Sequence, residues 1–113
     1  MEIKELVENY NGYVNKVPAG AKYIANCLRE DNLNGALSAI KDFSEGVLWL
    51  SQASELLQKN SATAELNIEQ IKEFLIEVNE GLEKQDYVLV ADMFEYEIAP
   101  FFDEVTLAEE QVQ

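Results

Sequence analysis

The sequence predicts an all-α protein: an antiparallel up-and-down four-helix bundle built from two helical hairpins. Apolar residues recur three and four positions apart along most of the chain, which turns one face of each helix inward. With only two prolines and five glycines, the chain lacks the turn residues that an all-β fold needs at every hairpin. Short turns between the helical stretches favour antiparallel neighbours.

The first predicted helix runs from about residue 2 to about residue 30. Its apolar seam stays in phase across Pro18, although an interior proline removes a backbone donor and costs about 3 kcal/mol. We therefore expect either one helix kinked at Pro18 or two helices that share an axis. The seam comprises Ile3, Val7, Tyr10, Val14, Val17, Ala21, Ile24 and Leu28.

The second predicted helix follows a polar turn and ends near Lys59. Asp31 or Asn32 is expected to cap it by accepting hydrogen bonds from free backbone amides. Gly46 lies one turn before Trp49, and its missing side chain permits the close approach of something bulky. The apolar face comprises Leu33, Ala36, Ile40, Phe43, Val47, Leu50, Ser54 and Leu57.

A small, polar loop from Asn60 to Leu66 separates the two predicted hairpins. The third helix is expected to begin at Asn67, with Gln70 completing a variant of the capping box. Its seam comprises Ile68, Ile71, Leu75, Val78 and Leu82.

The densest run of large apolar residues, Leu82 to Val105, predicts a buried fourth helix capped by Asp86. Pro100 is expected to bend this helix near Tyr96, whose carbonyl loses its donor. The bundle is thus predicted to occupy residues 1–105, and residues 106–113 to form a flexible acidic tail. The seam comprises Tyr87, Ala91, Phe94, Ile98, Phe101 and Val105.

The two halves of the chain share a pattern. A shift of 54 residues places the turn from Leu28 to Leu33 on the turn from Leu82 to Tyr87, and Ile40 on Phe94. Few residues are identical, so the pattern indicates one type of helical hairpin used twice.

The net charge of −14 comes from 22 acidic and 8 basic residues. Residues 58–113 carry −11 of it. A field of this sign repels phosphate backbones and anionic headgroups, so we expect no nucleic-acid and no membrane partner. Cys27 is the only cysteine, and no signal peptide or long apolar run is recognisable in the sequence. These features predict a cytoplasmic protein.

The absence of histidine excludes every catalytic site and metal site that depends on an imidazole. Cys27 lies beside the first seam and is expected to be a buried core residue. We therefore predict no enzyme activity, no cofactor and no metal. A competing interpretation is a small-molecule or metal site inside the bundle around Glu97, with Tyr10 and Tyr23 as hydrogen-bond donors.

The aromatic residues exceed what four apolar seams need, and several lie to the side of the seams. Tyrosine and tryptophan are enriched in protein interfaces because they combine a large contact area with a polar tip. The sequence therefore predicts non-enzymatic protein binding, either self-association as a homodimer or capture of a partner helix against an apolar groove. The residues predicted to form this surface are Trp49, Ala53, Leu56, Leu89, Met93 and Tyr96.

The run from Glu83 to Pro100, EKQDYVLVADMFEYEIAP, resembles a segment of small uncharacterised helical-bundle proteins of Gram-positive bacteria. That resemblance implies a bacterial helical domain and transfers no site. In size, acidity and hairpin layout the chain also looks like the small bundle chaperones of flagellar and secretion systems, which clasp helical partner segments. This second likeness, which is one of shape alone, implies an adaptor or chaperone role.

Overall fold

The computed structural model describes residues 2–60, 62–105 and 107–110, and the protein is all-α. The first two helices are α1, Ile3–Arg29, and α2, Leu33–Lys59. The third, α3, spans Ile68–Glu83. A fourth helical segment consists of α4, Tyr87–Met93, a π-helical turn, Phe94–Ile98, and α5, Ala99–Asp103. Two short strands, β1, Ala62–Thr63, and β2, Glu109–Glu110, pair antiparallel.

Helix α1 is continuous through Pro18, so of the two interpretations left open by the sequence the structure has the single helix. The seam residues Tyr10, Val14 and Ala21 on both sides of the proline are buried. Their burial explains how the helix persists, because tertiary packing offsets the hydrogen bond that proline removes.

A π-helical turn immediately precedes Pro100 in the fourth segment, and the Ala99 amide donates to the Phe94 carbonyl. Such a turn contains one more residue than an α-helical turn. Because Pro100 has no amide hydrogen, the α-helical bond to the Tyr96 carbonyl is impossible here. Phe94 and Ile98, at the two ends of the turn, are both fully buried.

The two hairpin turns are built alike. Asp31 and Gln85 both adopt a positive φ, 59° and 56°, and each lies two residues after the last residue of a helix. The next residue then caps the following helix: Asn32, one of the two candidates, accepts from the Gly35 amide at 3.1 Å, and Asp86 accepts from the Leu89 amide at 3.2 Å, as predicted. The 54-residue repeat of the sequence is therefore also a repeat of turn geometry.

The core is joined by a chain of edge-to-face phenylalanines that links α2, α3 and the fourth segment. Ring centroids lie 5.3 Å apart for Phe43 and Phe94, 6.3 Å for Phe43 and Phe102, 5.0 Å for Phe102 and Phe101, and 5.4 Å for Phe101 and Phe74. Helix α1 packs against α2 and the whole fourth segment, whereas α2 and α3 approach each other at few positions. Helices α2 and α3 therefore leave space between them on one side of the molecule.

Two glycines allow close packing between elements. A Cβ on Gly81 of α3 would lie 2.6 Å from Cγ2 of Val90 in α4. The space above Gly46 is occupied by the Tyr13 side chain, whose ring meets Trp49 edge-on at a centroid distance of 6.2 Å. The close approach predicted at Gly46 is confirmed, and the bulky group is Tyr13.

Within the predicted tail, the segment Leu107–Glu110 contacts α1 and pairs with β1. The Asn11 side chain donates to the Ala108 carbonyl at 3.0 Å and accepts from the Ala108 amide at 2.7 Å. Ala108 is buried, and Glu109 pairs with Thr63. This contact is not recognisable from the sequence, because its partners are 97 residues apart. Positions 106 and 111–113 of the predicted tail lie outside the described residues.

Candidate functional site

The outer face of α2 carries an exposed apolar ridge, formed by Leu48, Gln52 and Leu56. Leu48 is 62% exposed and Leu56 is 51% exposed. These residues are four apart, so they lie one above the other on a single helix face. Exposed single leucines are ordinary, but here two lie in one row on either side of Gln52, and each borders an apolar groove: Leu56 the one between α1 and α2, and Leu48 the one between α2 and α3.

The first groove runs between the start of α1 and the end of α2, and we call it the α1–α2 groove. It encloses about 450 Å³. It contains all three residues that the sequence predicted on this helix: Trp49 and Leu56 on its walls and Ala53, only 2% exposed, as its floor. The complete lining comprises Ile3, Leu6, Trp49, Gln52, Ala53, Leu56 and Asn60.

The second groove lies on the opposite side of the ridge, between α2 and α3, and we call it the α2–α3 groove. It encloses about 290 Å³. Buried Val47 and Ile71 lie at its base, and Gln52 borders both grooves. The complete lining comprises Val47, Leu48, Ser51, Gln52, Glu55, Ile68, Ile71, Lys72 and Leu75.

The three surface residues predicted on the fourth segment do not join the α2 surface. Met93 is 1% exposed and therefore cannot present a binding surface, because it shares the core-facing side of α4 with Val90. Leu89 and Tyr96 are exposed, 46% and 66%, but neither lines either groove. The seam spacing predicted that Met93 lies beside the buried row of the fourth helix. Met93 is nevertheless buried, because this helix packs against neighbours on more than one face.

Leu89 and Tyr96 also face different neighbours. Leu89 lies toward α3, with Cδ2 3.9 Å from a Cβ built on Gly81. Tyr96 lies toward α1. Its pKa is raised, mainly by a hydrogen bond with the Glu95 side chain, and the positive charge of nearby Arg29 opposes that rise. Arg29 donates to the Asp92 carboxylate at 2.9 Å and approaches Glu95 at 3.7 Å. This face of the fourth segment is therefore polar.

The interior site predicted around Glu97 is not assembled. Glu97 and Tyr23 are exposed, whereas Tyr10 is completely buried. Phe94 and Ile98, at the two ends of the π-helical turn, lie in the core, whereas Glu97 within the turn is exposed. The Tyr10 hydroxyl has no hydrogen-bond partner among the described residues, and burial raises the pKa of Tyr10 to about 12.

A third apolar cavity, of about 260 Å³, lies between the middle of α1 and the first half of α2. Tyr13, Tyr23 and Phe43 provide aromatic walls, and Lys16 and Asp42 provide opposite charges. A hydrogen bond with the side chain of buried Cys27 is the main cause that raises the pKa of Tyr23. The pKa of Tyr13 is raised mainly by burial and to a smaller extent by the negative charge of Asp42. Tyr23 is the only member of the predicted interior trio that lines this cavity.

Within residues 2–60, 62–105 and 107–110, no three acidic or cysteine side chains are grouped closely enough to hold a metal ion. None of the helices in that part of the chain combines the length and the apolar character needed to cross a bilayer.

Sequence reasoning missed Leu48 and the α3 wall of the second groove, formed by Ile68 and Leu75. These α3 residues belong to a regular seam, and a seam is normally core. Leu48 and Leu56 did carry a signal, because an apolar pair eight residues apart lies off the seam of α2.

A family model described as "Domain of unknown function (DUF8042)" matches residues 5–107 of the chain. Comparison with curated proteins and with solved structures gives no match.

Proposed function

Since the chain belongs to this family of unknown function, we propose from its geometry that it is a non-enzymatic protein-binding helical bundle that binds its partner on the α2 ridge. The observation that supports the proposal is the exposure of Leu48 and Leu56 in one row, with an apolar groove on each side. Grooves between helices are common docking sites for amphipathic partner helices, which insert side chains spaced three and four residues apart.

The proposed architecture is an antiparallel up-and-down bundle whose first and fourth helical segments bend at Pro18 and Pro100. Contacts between distant residues support the antiparallel order. The end of α1 meets the start of the fourth segment through Arg29 and Asp92, and its first half meets the chain after α5 through Asn11 and Ala108. Tyr13 near the start of α1 likewise meets the second half of α2.

We further propose a bacterial, cytoplasmic adaptor or chaperone-like role, in keeping with the acidic composition and the hairpin layout. A solvent-exposed apolar surface on a small bundle suits a protein that holds a partner segment and does no chemistry on it. The proposed partner is a protein or a second copy of the chain, with neither nucleic acid nor membrane involved.

An alternative function is small-molecule binding. A site around Glu97 has little support, because Glu97 and Tyr23 are exposed whereas Tyr10 is completely buried. The cavity beside Tyr23 is the observation that favours a small ligand, since it combines aromatic walls with Lys16 and Asp42. Such a ligand would raise the melting temperature without changing the mass of the protein.

The proposal is tested by affinity capture from a bacterial lysate with tagged full-length protein and two variants, Leu56→Asp and Val88→Asp. Both positions are exposed, so both variants are expected to fold, and Val88 on α4 lines neither groove. We expect one partner to be captured by the native protein and by Val88→Asp, and lost with Leu56→Asp. Equal capture by all three proteins would contradict the α2 ridge as the binding surface.

A further inference from the structure

We propose that the α2–α3 groove binds a short amphipathic helix whose apolar stripe is flanked by basic residues. This inference rests on the proposed function and identifies the chemistry of the partner. It is carried by the shape of the groove together with the distribution of charge around the bundle.

The shape of the groove fits one short helix. Its α2 wall runs from Val47 to Glu55 and its α3 wall from Ile68 to Leu75. At 1.5 Å per residue, each wall is about 10–12 Å long, which is about two helical turns. A partner helix that inserts three apolar side chains at positions i, i+4 and i+7 fills that length.

The apolar part of the groove is continuous with the core. Val47 is fully buried and Ile71 is 2% exposed at its base, whereas Leu48 stands beside it at 62% exposure. Because α2 and α3 approach each other at few positions, a helix seated here would contact both helices at once. Burying Leu48 and the half-buried Leu75 and Ile68 provides the apolar contribution to binding.

The charge around this groove is negative. Residues 33–83, which include both walls, carry nine acidic and three basic residues, a net charge of −6. Helix α3 alone carries five glutamates and one lysine, a net charge of −4. That lysine, Lys72, lies 3.6 Å from Glu69, so its charge is partly compensated within α3. Glu55, which lines the groove, forms no ion pair within the described ranges.

The other two grooves have a different electrostatic environment, because α1 forms one wall of each. Helix α1 carries four basic and two acidic residues, a net charge of +2, and the two charged residues that line the cavity near Tyr23, Lys16 and Asp42, have opposite signs. A basic helix is therefore attracted to the α2–α3 groove more strongly than to either groove beside α1.

A second copy of the chain is the weaker candidate for this groove. Each copy carries a net charge of −14, so two copies repel each other as they approach. The exposed apolar residue nearest the middle of α3, Ile76, stands among Glu73, Glu77 and Glu80 on the same helix. A helix that offered this face to the groove would bring like charges together.

The test uses three synthetic 14-residue peptides as probes with the full-length protein. The first is an amphipathic leucine–lysine helix with leucines three and four positions apart. The second has the same composition in scrambled order, and the third replaces every lysine by glutamate. Binding is measured by isothermal titration calorimetry at two salt concentrations, and sedimentation equilibrium measures the mass of each complex.

Three variants locate the binding. Leu48→Asp and Glu55→Lys alter the α2–α3 groove, and Val88→Asp is the matched control on α4. We expect one leucine–lysine helix to bind per chain, more weakly at high salt. Leu48→Asp should weaken binding about tenfold and Glu55→Lys about threefold. Leu48→Ser is the second variant if Leu48→Asp does not fold.

The inference is overturned if the scrambled or the leucine–glutamate peptide binds as tightly, if Val88→Asp weakens binding as much as Leu48→Asp, or if the chain dimerises through the Leu48 face. Loss of a lysate partner with Leu56→Asp, without binding of the leucine–lysine helix, supports the proposed function and overturns this inference. Peptide binding that depends on Leu48 and Glu55, with no lysate partner lost by Leu56→Asp, supports this inference and contradicts the proposed function as tested by Leu56→Asp.

Discussion

Replacing Gly46 by alanine tests the packing that positions Trp49 beside the α1–α2 groove. A Cβ added to Gly46 would overlap the Tyr13 hydroxyl oxygen and ring carbon Cζ, and would lie 2.8 Å from Cε2. The tyrosine ring is rigid and half-buried, so it can avoid the new methyl group only by rotating as a whole. Rotation breaks the edge-to-face contact with Trp49 at 6.2 Å.

The expected cost follows from three effects. Overpacking a buried site costs roughly 1–3 kcal/mol, and loss of an aromatic pair costs roughly 0.5–1.5 kcal/mol when the ring is displaced. Alanine is a better helix former than glycine by about 1 kcal/mol, which opposes both. The three effects together give about 0.5–3.5 kcal/mol, so we expect Gly46→Ala to lower the free energy of unfolding by about 2 kcal/mol, or to lower Tm by about 8 °C in a domain of this size.

Thermal unfolding followed by circular dichroism measures the change in stability, and fluorescence of the single tryptophan reports on the Tyr13 contact. Gly12→Ala in α1 is the matched control, because a Cβ there meets nothing within 4 Å. That control should stabilise the protein by about 0.5–1 kcal/mol. In a Tyr13→Ala background, Gly46→Ala should become stabilising too. If Gly46→Ala raises Tm as much as Gly12→Ala does in the native background, the packing argument is wrong.

Three further predictions concern other parts of the fold. The raised pKa of Tyr10, about 12 against an ordinary 10.0, means that its contribution to stability is fully present below pH 10 and is lost as the pH rises through 12. Tyr10→Phe removes a buried hydroxyl without a described partner, so urea unfolding should show equal or higher stability at pH 7. Between pH 10 and 12 the variant should lose about 2–3 kcal/mol less of its free energy of unfolding than the native protein. An equal loss of free energy of unfolding in both proteins would contradict this prediction. Asn11→Ala should release Ala108 and increase hydrogen exchange at the Ala108 amide at least tenfold. Asn11→Asp should show an intermediate rate, because aspartate keeps only the hydrogen-bond acceptor. Equal exchange in all three proteins would show that Asn11 does not hold Ala108. Gln85→Gly should stabilise by about 1 kcal/mol because Gln85 has a positive φ, whereas Lys84→Gly, at the neighbouring C-cap residue with a φ of −84°, should destabilise.

The elements themselves could be predicted from the sequence because their causes are local. Seam spacing located four helical segments, and Asn32, Asn67 and Asp86 were correctly expected to cap three of them. The candidate site was predicted only in part. Trp49, Ala53 and Leu56 do line one groove, but Met93 is buried because the fourth segment packs on more than one side.

The residues expected around Glu97 failed to assemble for a different reason. A regular α-helix from residue 87 onward places Glu97 on the flank of the aromatic face. The structure has a π-helical turn at Phe94–Ile98 in which Glu97 is exposed, and Tyr23 on α1 is also exposed, whereas Tyr10 on the same helix is completely buried. Pro100 signalled a disturbance at this place, but a proline alone does not distinguish a bend from a π-helical turn.

The sequence by itself determined the all-α class, the position of the helices, the capped turns and the negative charge, since each depends on residues within a few positions of one another. Only the tertiary structure decided that α2 and α3 stand apart, that Tyr13 fills the space above Gly46, and that Asn11 holds Ala108. These contacts depend on how whole faces fit together in three dimensions. Apolar periodicity shows which face is turned inward but not how closely two such faces meet, and the grooves exist where they do not meet closely.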